Sequence, residues 1–119
     1  MARPYRELFT EDVEAIPWKP IEGSPGLYEK YLVMDPETGS HTRLVKGDPE
    51  FDGKGKLLEH DFWEETYLLE GSCWHGDKLQ KPGAYYCRPP HLKHGPFRTD
   101  DGYIILEMRY YENSPSKAS

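Results

Sequence analysis

Two stretches, HDFWEETYLLEG (residues 60–71) and GAYYCRPPHLKH (residues 83–94), decide how this chain of 119 residues folds. The first joins an imidazole, His60, and a carboxylate, Glu64, to a strand-like run that ends in glycine. The second is a short aromatic run that stops at two prolines, which cannot donate to a β-ladder, and then reaches His94. Imidazole and carboxylate groups bind divalent metals. His60, Glu64 and His94 are therefore candidate metal ligands, and each lies beside a predicted strand.

The spacing of His60 and Glu64 allows two local structures. On a helix, residues four apart stack on one face, and propensity alone permits a helix over residues 57–70. On one straight strand the two side chains would lie about 13 Å apart and could not share an ion. A hairpin that turns at residues 61–63 would instead bring their Cβ atoms to about 5 Å. We favour the turn, because a helix here would be the only substantial one in a chain patterned for strands.

Short strands separated by turn residues are predicted for most of the chain. The strand-like segments are residues 27–34, 41–45, 67–74, 84–88, 95–97 and 102–111. Eleven glycines and eleven prolines fall largely between them, and nine tyrosines and three tryptophans suit pleated sheets. Many short strands at regular spacing are typical of a β-sandwich or a β-barrel.

The length fits one compact domain. We expect residues 1–25 to form an irregular N-terminal arm, which could supply an edge strand around residues 13–18 or a dimer contact. Residues 26–112 are predicted to form the barrel. Residues 113–119 are predicted to be a flexible tail.

Composition excludes several classes of partner. The net charge of -6 and the lack of a basic stripe argue against nucleic-acid binding. The sequence has no apolar run of membrane length and no secretory signal pattern, so we expect a cytoplasmic protein without a membrane partner. Cys73 and Cys87 match no metal-site spacing and are expected to be reduced thiols in or near the core.

The two opening stretches resemble the two motifs of the cupin superfamily. In the first motif a His, three residues, a Glu and six residues lead to a Gly, as in residues 60–71. In the second a Gly, five residues and a Pro lead to a turn closed by a His, as in residues 83–94. Residues 88–90 (RPP) followed by residues 94–97 (HGPF) are most similar to cupins related to the anti-sigma factor ChrR. The resemblance implies an all-β fold, a cupin-type jelly-roll β-barrel (double-stranded β-helix) with an irregular N-terminal arm.

The resemblance also implies a metal bound by His60, Glu64 and His94. Cupins usually carry a further His two residues before the first one, where this chain has Leu58. Two imidazoles and one carboxylate suit a divalent transition metal, with Fe²⁺ favoured and Mn²⁺, Ni²⁺ or Zn²⁺ as alternatives. Such a set leaves coordination positions open, which favours catalysis over a structural role.

The remaining histidines offer alternatives for the missing ligand. Water, His91 or His41 could replace it, or its loss could signal a metal-free structural cupin. His91 and His41 are nevertheless more typical of ordinary surface or core residues. His75, in a His-Gly-Asp turn, is likewise expected to be an ordinary surface or core residue rather than a ligand.

Three side chains are predicted to bind substrate: Arg43, Tyr86 and Arg88. Tyr86 and Arg88 share one face of a strand, and Arg43 lies on a candidate inner strand. A buried arginine beside a metal suits an anionic or carbonyl-bearing substrate, because its fork pairs with oxygens. The alternative is that Arg43 or Arg88 pairs with a core carboxylate such as Glu107. No catalytic residue is predicted beyond the metal ligands.

The resemblance favours a metal-dependent enzyme that acts on a small organic molecule. Its most concrete form is a non-haem metal dioxygenase that cleaves an enolisable ketone or diketone. A cupin isomerase, lyase or decarboxylase is an alternative, because the fold alone does not set the reaction. A non-catalytic metal- or ligand-sensing module is another. Small cupins are more often dimers than monomers, so we expect a homodimer.

Overall fold

A computed structural model describes residues 4–111, and its regular elements are mainly β-strands. The helix α1 (Thr10–Ala15) comes first. The strands are β1 (Lys19–Pro20), β2 (Leu27–Met34), β3 (His41–Gly47), β4 (Trp63–Gly71), β5 (Cys73–His75), β6 (Lys78–Gln80), β7 (Tyr85–Arg88), β8 (Phe97–Arg98) and β9 (Tyr103–Tyr110). The all-β prediction is therefore confirmed. No helix within these residues has the length and apolar character that crossing a membrane requires.

The strands form two antiparallel sheets. The larger sheet has the order β1-β2-β3-β9-β4-β7, and the smaller has the order β6-β5-β8. Both sheets contribute to one apolar core, which consists of Val45, Leu68, Cys73 and Tyr103. Cys73 is thus a buried free thiol, as expected, whereas Cys87 is a free thiol that is exposed.

Strand register arranges the inner face of the larger sheet in three rows across β3, β9, β4 and β7. The first charged row is His41, Arg109, Glu64 and Arg88. The second charged row is Arg43, Glu107, Thr66 and Tyr86. The apolar row is Val45, Ile105 and Leu68. Because side chains of a strand alternate between faces, each row lies two residues, or about 7 Å, from the next.

The N-terminal segment differs from the edge strand predicted around residues 13–18. A helix occupies Thr10–Ala15, and the edge strand is the two-residue β1 that follows it. Two acidic residues in the first turn favour the helix through its dipole. It ends because Ile16 precedes a proline and is extended, with φ -72° and ψ 123°.

The segment between His60 and Gly71 forms neither the helix nor the hairpin considered above. The chain bends at Asp61 and Phe62, and β4 starts at Trp63. In the strand register, Glu64 lies opposite Arg88 of β7 and Arg109 of β9, and not opposite His60. The predicted cross-strand partnership of His60 and Glu64 is therefore wrong, although the chain does change direction between them. Gly71 ends the strand at φ 79°, where a Cβ atom would lie 2.0 Å from the carbonyl oxygen of Gly102. Only glycine fits there.

Candidate metal centre and its cavity

Three different local structures position the predicted ligands. Glu64 is the second residue of β4, and its side chain points to the inner face of the larger sheet. His60 lies just before the bend, with its ring stacked on Phe62 at a centroid distance of 4.5 Å. His94 forms a two-bond bridge with Leu58, whose N–H donates to the His94 carbonyl at 2.7 Å and whose carbonyl accepts from the His94 N–H at 2.9 Å. Leu58 thus anchors the segment, but its side chain offers no ligand atom.

The structure brings His60, Glu64 and His94 together. One ligand atom from each side chain lies within 4.8 Å of those of the other two. The Nε2 atom of His94 is 3.5 Å from Oε1 of Glu64, and the two imidazole rings are 5.1 Å apart between centroids. Glu64 is 8% exposed and His94 9% exposed, so the cluster is largely shielded from solvent.

The donor set fits a divalent metal ion. Oε1 of Glu64 is buried and has no hydrogen-bond partner among residues 4–111. Nδ1 of His94 donates to the carbonyl of Leu92 at 3.0 Å, which leaves the lone pair of Nε2 directed at the cluster. Burial, followed by the charge of Arg109, lowers the pKa of His60 to about 4, so its ring is neutral and can act as a ligand.

Burial disfavours the charged form of the Glu64 carboxyl. Burial, and then its hydrogen bond to Glu107, raises the pKa of Glu64 to about 8. Burial would also raise the pKa of Glu107, but the hydrogen bond from Glu64 and the charges of Arg43 and Arg109 lower it. Without a cation, the neutral form of Glu64 is therefore favoured beside the negative charge of Glu107. A bound cation would replace the proton of Glu64.

Arg43 lies at the centre of a buried ion-pair network. It is 7% exposed, and it forms ion pairs with Glu107 and with Glu29. Arg109 approaches the same Glu107 oxygen, with 3.3 Å between Nε and Oε1. The pairing of Arg43 with a core carboxylate, one of the two alternatives for this residue, is thus present. The sequence analysis did not identify Arg109 as part of this network. The signal was present, because Glu107 and Arg109 are two residues apart on a predicted strand and so share a face.

Arg88 and Tyr86 meet at His75. The Arg88 guanidinium stacks on the Tyr86 ring, 3.8 Å from its centroid, and its Nη2 lies 3.5 Å from Nδ1 of His75. The Tyr86 hydroxyl is 3.1 Å from Nε2 of His75. An arginine can only donate, so this contact favours the tautomer of His75 that carries its proton on Nε2 and donates it to the Tyr86 hydroxyl. The Tyr86 hydroxyl proton is then available to another acceptor.

His75 is half-buried rather than exposed to solvent. It is the last residue of β5, and its ring lies between the rings of Tyr86 and Phe97, at centroid distances of 4.9 and 4.7 Å. Burial, and then the charges of Arg88 and His94, lower its pKa to about 4. The Gly-Asp turn gives no sign of this burial in the sequence, because β5 includes His75 before the chain turns.

The neutral state of His75 predicts a specific sensitivity to acid. In the unfolded chain its pKa is near 6.5, so protons bind the unfolded state first as the pH falls from about 6.5 to about 4. The contribution of His75 to stability is present above this window and lost within it. We expect the melting temperature of His75→Gln to fall less across this window than that of the wild type. The control His91→Gln, altered at an exposed side chain, should follow the wild type, and equal slopes for all three proteins would contradict this assignment.

Neither His91 nor His41 replaces the missing fourth ligand. The His91 side chain is 70% exposed, and its Nδ1 lies 3.6 Å from Glu59. His41 is buried, and its Nδ1 donates to the carbonyl of Gly39 at 2.9 Å. In the part of the chain that the structure describes, the ligand cluster comprises only His60, Glu64 and His94.

A cavity of about 620 Å³ opens onto the candidate metal centre. This volume lies within the range of about 300–1,000 Å³ that is usual for small-molecule sites. All three predicted ligands line it, as do the predicted substrate-binding residues Arg43, Tyr86 and Arg88. Arg88 makes no ion pair with a carboxylate among the described residues.

The sequence matches the ChrR cupin-like domain family over residues 6–111. The chain therefore belongs to this family, as its two motifs indicated. No curated protein matches the sequence.

Solved structures share the fold. A protein from Nostoc punctiforme PCC 73102, described as an inferred dioxygenase, is 26% identical with a TM-score of 0.75, and the match covers 85% of this chain but only 35% of that one. An RmlC-like cupin from Shewanella frigidimarina NCIMB 400 is 21% identical over 92% of this chain and 93% of its own, with a TM-score of 0.70. ChrR of Rhodobacter sphaeroides, in complex with SigE, is 18% identical over 82% of this chain and 50% of its own, with a TM-score of 0.63. The chain thus spans about a third of the length of the Nostoc protein. The three structural matches together confirm the cupin fold.

Proposed function

We propose that the protein is a metal-dependent enzyme acting on a small organic molecule, most concretely a non-haem dioxygenase that cleaves an enolisable ketone or diketone. The observation that carries this proposal is the convergence of His60, Glu64 and His94, with one orphaned carboxylate oxygen, at a cavity. Two histidines and a carboxylate with open positions are the ligand set of non-haem Fe²⁺ oxygenases, which favours iron. The Nostoc neighbour, described as an inferred dioxygenase, supports the same reaction class.

The predicted ligands and substrate-binding residues each have a role in this proposal. A metal held by His60, Glu64 and His94 would supply Lewis acidity toward substrate oxygens and, as Fe²⁺, the means to use O₂. Arg88 pairs with a substrate oxygen, because its charge has no carboxylate partner among the described residues. Tyr86 donates its free hydroxyl proton to the same head group. We propose that Arg43 lines the cavity while holding Glu107 ionised.

Oxygen consumption tests the proposed reaction. Protein loaded with Fe²⁺ is mixed with a panel of β-diketones and phenolic ketones, and O₂ uptake is compared with product formation. The proposal expects one O₂ consumed for each substrate molecule cleaved. Conversion without O₂ uptake would instead indicate an isomerase, lyase or decarboxylase. The dioxygenase assignment would be contradicted if iron-loaded protein consumed no O₂ with any of these compounds.

Arg88→Gln should weaken catalysis without releasing the metal. Losing a charge-assisted hydrogen bond to the substrate head is expected to lower kcat/KM by about 10–100-fold. Metal content should stay at the wild-type level, since Arg88 is not a ligand. The matched control is Arg98→Gln, because Arg98 pairs with Asp100 on the surface and does not line the cavity. Equal kcat/KM for Arg88→Gln and wild type would remove Arg88 from the proposed site.

A sensing module is the second candidate, because the chain belongs to the ChrR-like family and ChrR is seen in complex with SigE. Stoichiometric metal binding without turnover of any tested compound would favour the sensing module.

We also propose that the protein is a cytoplasmic homodimer. Gel filtration with light scattering tests the dimer, and a mass of one chain would contradict it.

A further inference from the structure

We propose that the ligand of the cavity has an anionic, oxygen-bearing head and an apolar body. This inference rests on the proposed function and names the class of substrate. The head would lie at Arg88 and the candidate metal centre. The body would extend along the apolar row toward Val45 and Ile105.

The charged rows set the charge of the head. Arg43 and Arg109 share the carboxylate of Glu107, and Arg43 also pairs with Glu29. Arg88 is the cation of these rows without a carboxylate partner in the described part of the chain. This unneutralised guanidinium favours an anionic oxygen group at the head, such as an enolate or a carboxylate.

The apolar row sets the chemistry of the body. Val45 and Ile105 line the cavity one row, or about 7 Å, beyond Arg43 and Glu107. The other apolar side chains of the wall are Ile21, Pro25, Leu27, Phe51, Leu58, Cys73, Phe97 and Tyr103. A hydroxyl-rich ligand would lose its water here without gaining hydrogen bonds, which costs free energy. An aromatic ring or a short alkyl chain is favoured at this end of the cavity.

Two probes with the same head test the inference. Acetylacetone has no apolar body, whereas benzoylacetone carries a phenyl ring in place of one methyl group. Their dissociation constants are measured by titration calorimetry with metal-free protein and with Zn²⁺-loaded protein, since zinc has no redox chemistry that would consume a probe. We expect benzoylacetone to bind about tenfold or more tightly than acetylacetone, from burial of the ring.

Variants in the apolar row locate the source of this preference. Val45→Thr keeps the side-chain shape but adds a hydroxyl, and should reduce the ratio of the two dissociation constants by about threefold or more. Ile105→Thr makes the same test at the neighbouring strand, should Val45→Thr prove unstable. Leu69→Thr is the matched control, because Leu69 lies on β4 but is 40% exposed and outside the cavity.

The outcomes separate the two proposals. The preference for benzoylacetone should be present with and without metal, whereas Zn²⁺ should tighten the binding of both probes. Probes that bind within twofold of one another, or a control variant that changes the ratio as much as Val45→Thr does, would overturn the apolar body. An unchanged affinity for both probes on adding Zn²⁺ would overturn the metal-dependent function and leave the two-ended ligand standing.

Discussion

His94→Ala is expected to lose stoichiometric metal binding while the protein stays folded. Altering a group that only orients a ligand costs about 10–100-fold in metal affinity, so removing the ligand itself should cost about 100-fold or more. The barrel should persist, because its core of Val45, Leu68, Cys73 and Tyr103 does not include this ring. Metal analysis after dialysis measures the loss, and circular dichroism with thermal melting measures the fold.

His91→Ala is the matched control for this experiment. His91 belongs to the same segment, but its side chain is 70% exposed and outside the ligand cluster. It should retain the metal at the wild-type stoichiometry. A His94→Ala protein that keeps its metal would contradict the ligand assignment. Complete unfolding of His94→Ala would indicate a structural site rather than a catalytic one.

Arg43→Met is expected to destabilise the protein by about 3–5 kcal/mol, which is the usual cost of removing one partner of a buried ion pair. The side chains of Arg43 and Glu107 are only 8% and 4% exposed, so the carboxylate left behind gains little hydration. Glu29 loses the same partner. Urea denaturation at neutral pH measures the change in the free energy of unfolding.

Arg98→Met is the surface counterpart of Arg43→Met. Arg98 pairs with Asp100, and their side chains are 45% and 63% exposed. Such exposed pairs contribute about 0–1 kcal/mol. If Arg43→Met were no more destabilising than Arg98→Met, the ion pairs of Arg43 with Glu107 and Glu29 would not stabilise the fold. The role of Arg43 would then be limited to binding the ligand.

Several strands were predictable from the sequence, but the strand expected over residues 67–74 is divided between β4 (Trp63–Gly71) and β5 (Cys73–His75). The turn residues after Met34 fixed the first hairpin, so β2 was predicted with its observed bounds, Leu27–Met34. The prolines after Arg88 ended β7, since neither can donate to the ladder. The two motifs predicted the cupin fold, and the glycine of the first, Gly71, occupies a position that only glycine can adopt.

The environment of the site was less predictable, because it depends on contacts between distant parts of the chain. The bend at Asp61–Phe62 replaces a hairpin because Glu64 finds its partners on β7 and β9. The burial of His75 depends on Tyr86 and Phe97, which lie 11 and 22 residues further along the chain. Local patterns carry no information about such pairings.

The metal content of the native protein tests the central claim most directly. The protein is purified without chelators and without a metal-binding tag, and its bound transition metals are quantified per chain. We expect about one divalent metal ion per chain, or one after reconstitution with Fe²⁺, because two imidazoles and the orphaned oxygen of Glu64 form a three-ligand donor set. Protein that contains no transition metal and takes up none stoichiometrically would contradict the claim.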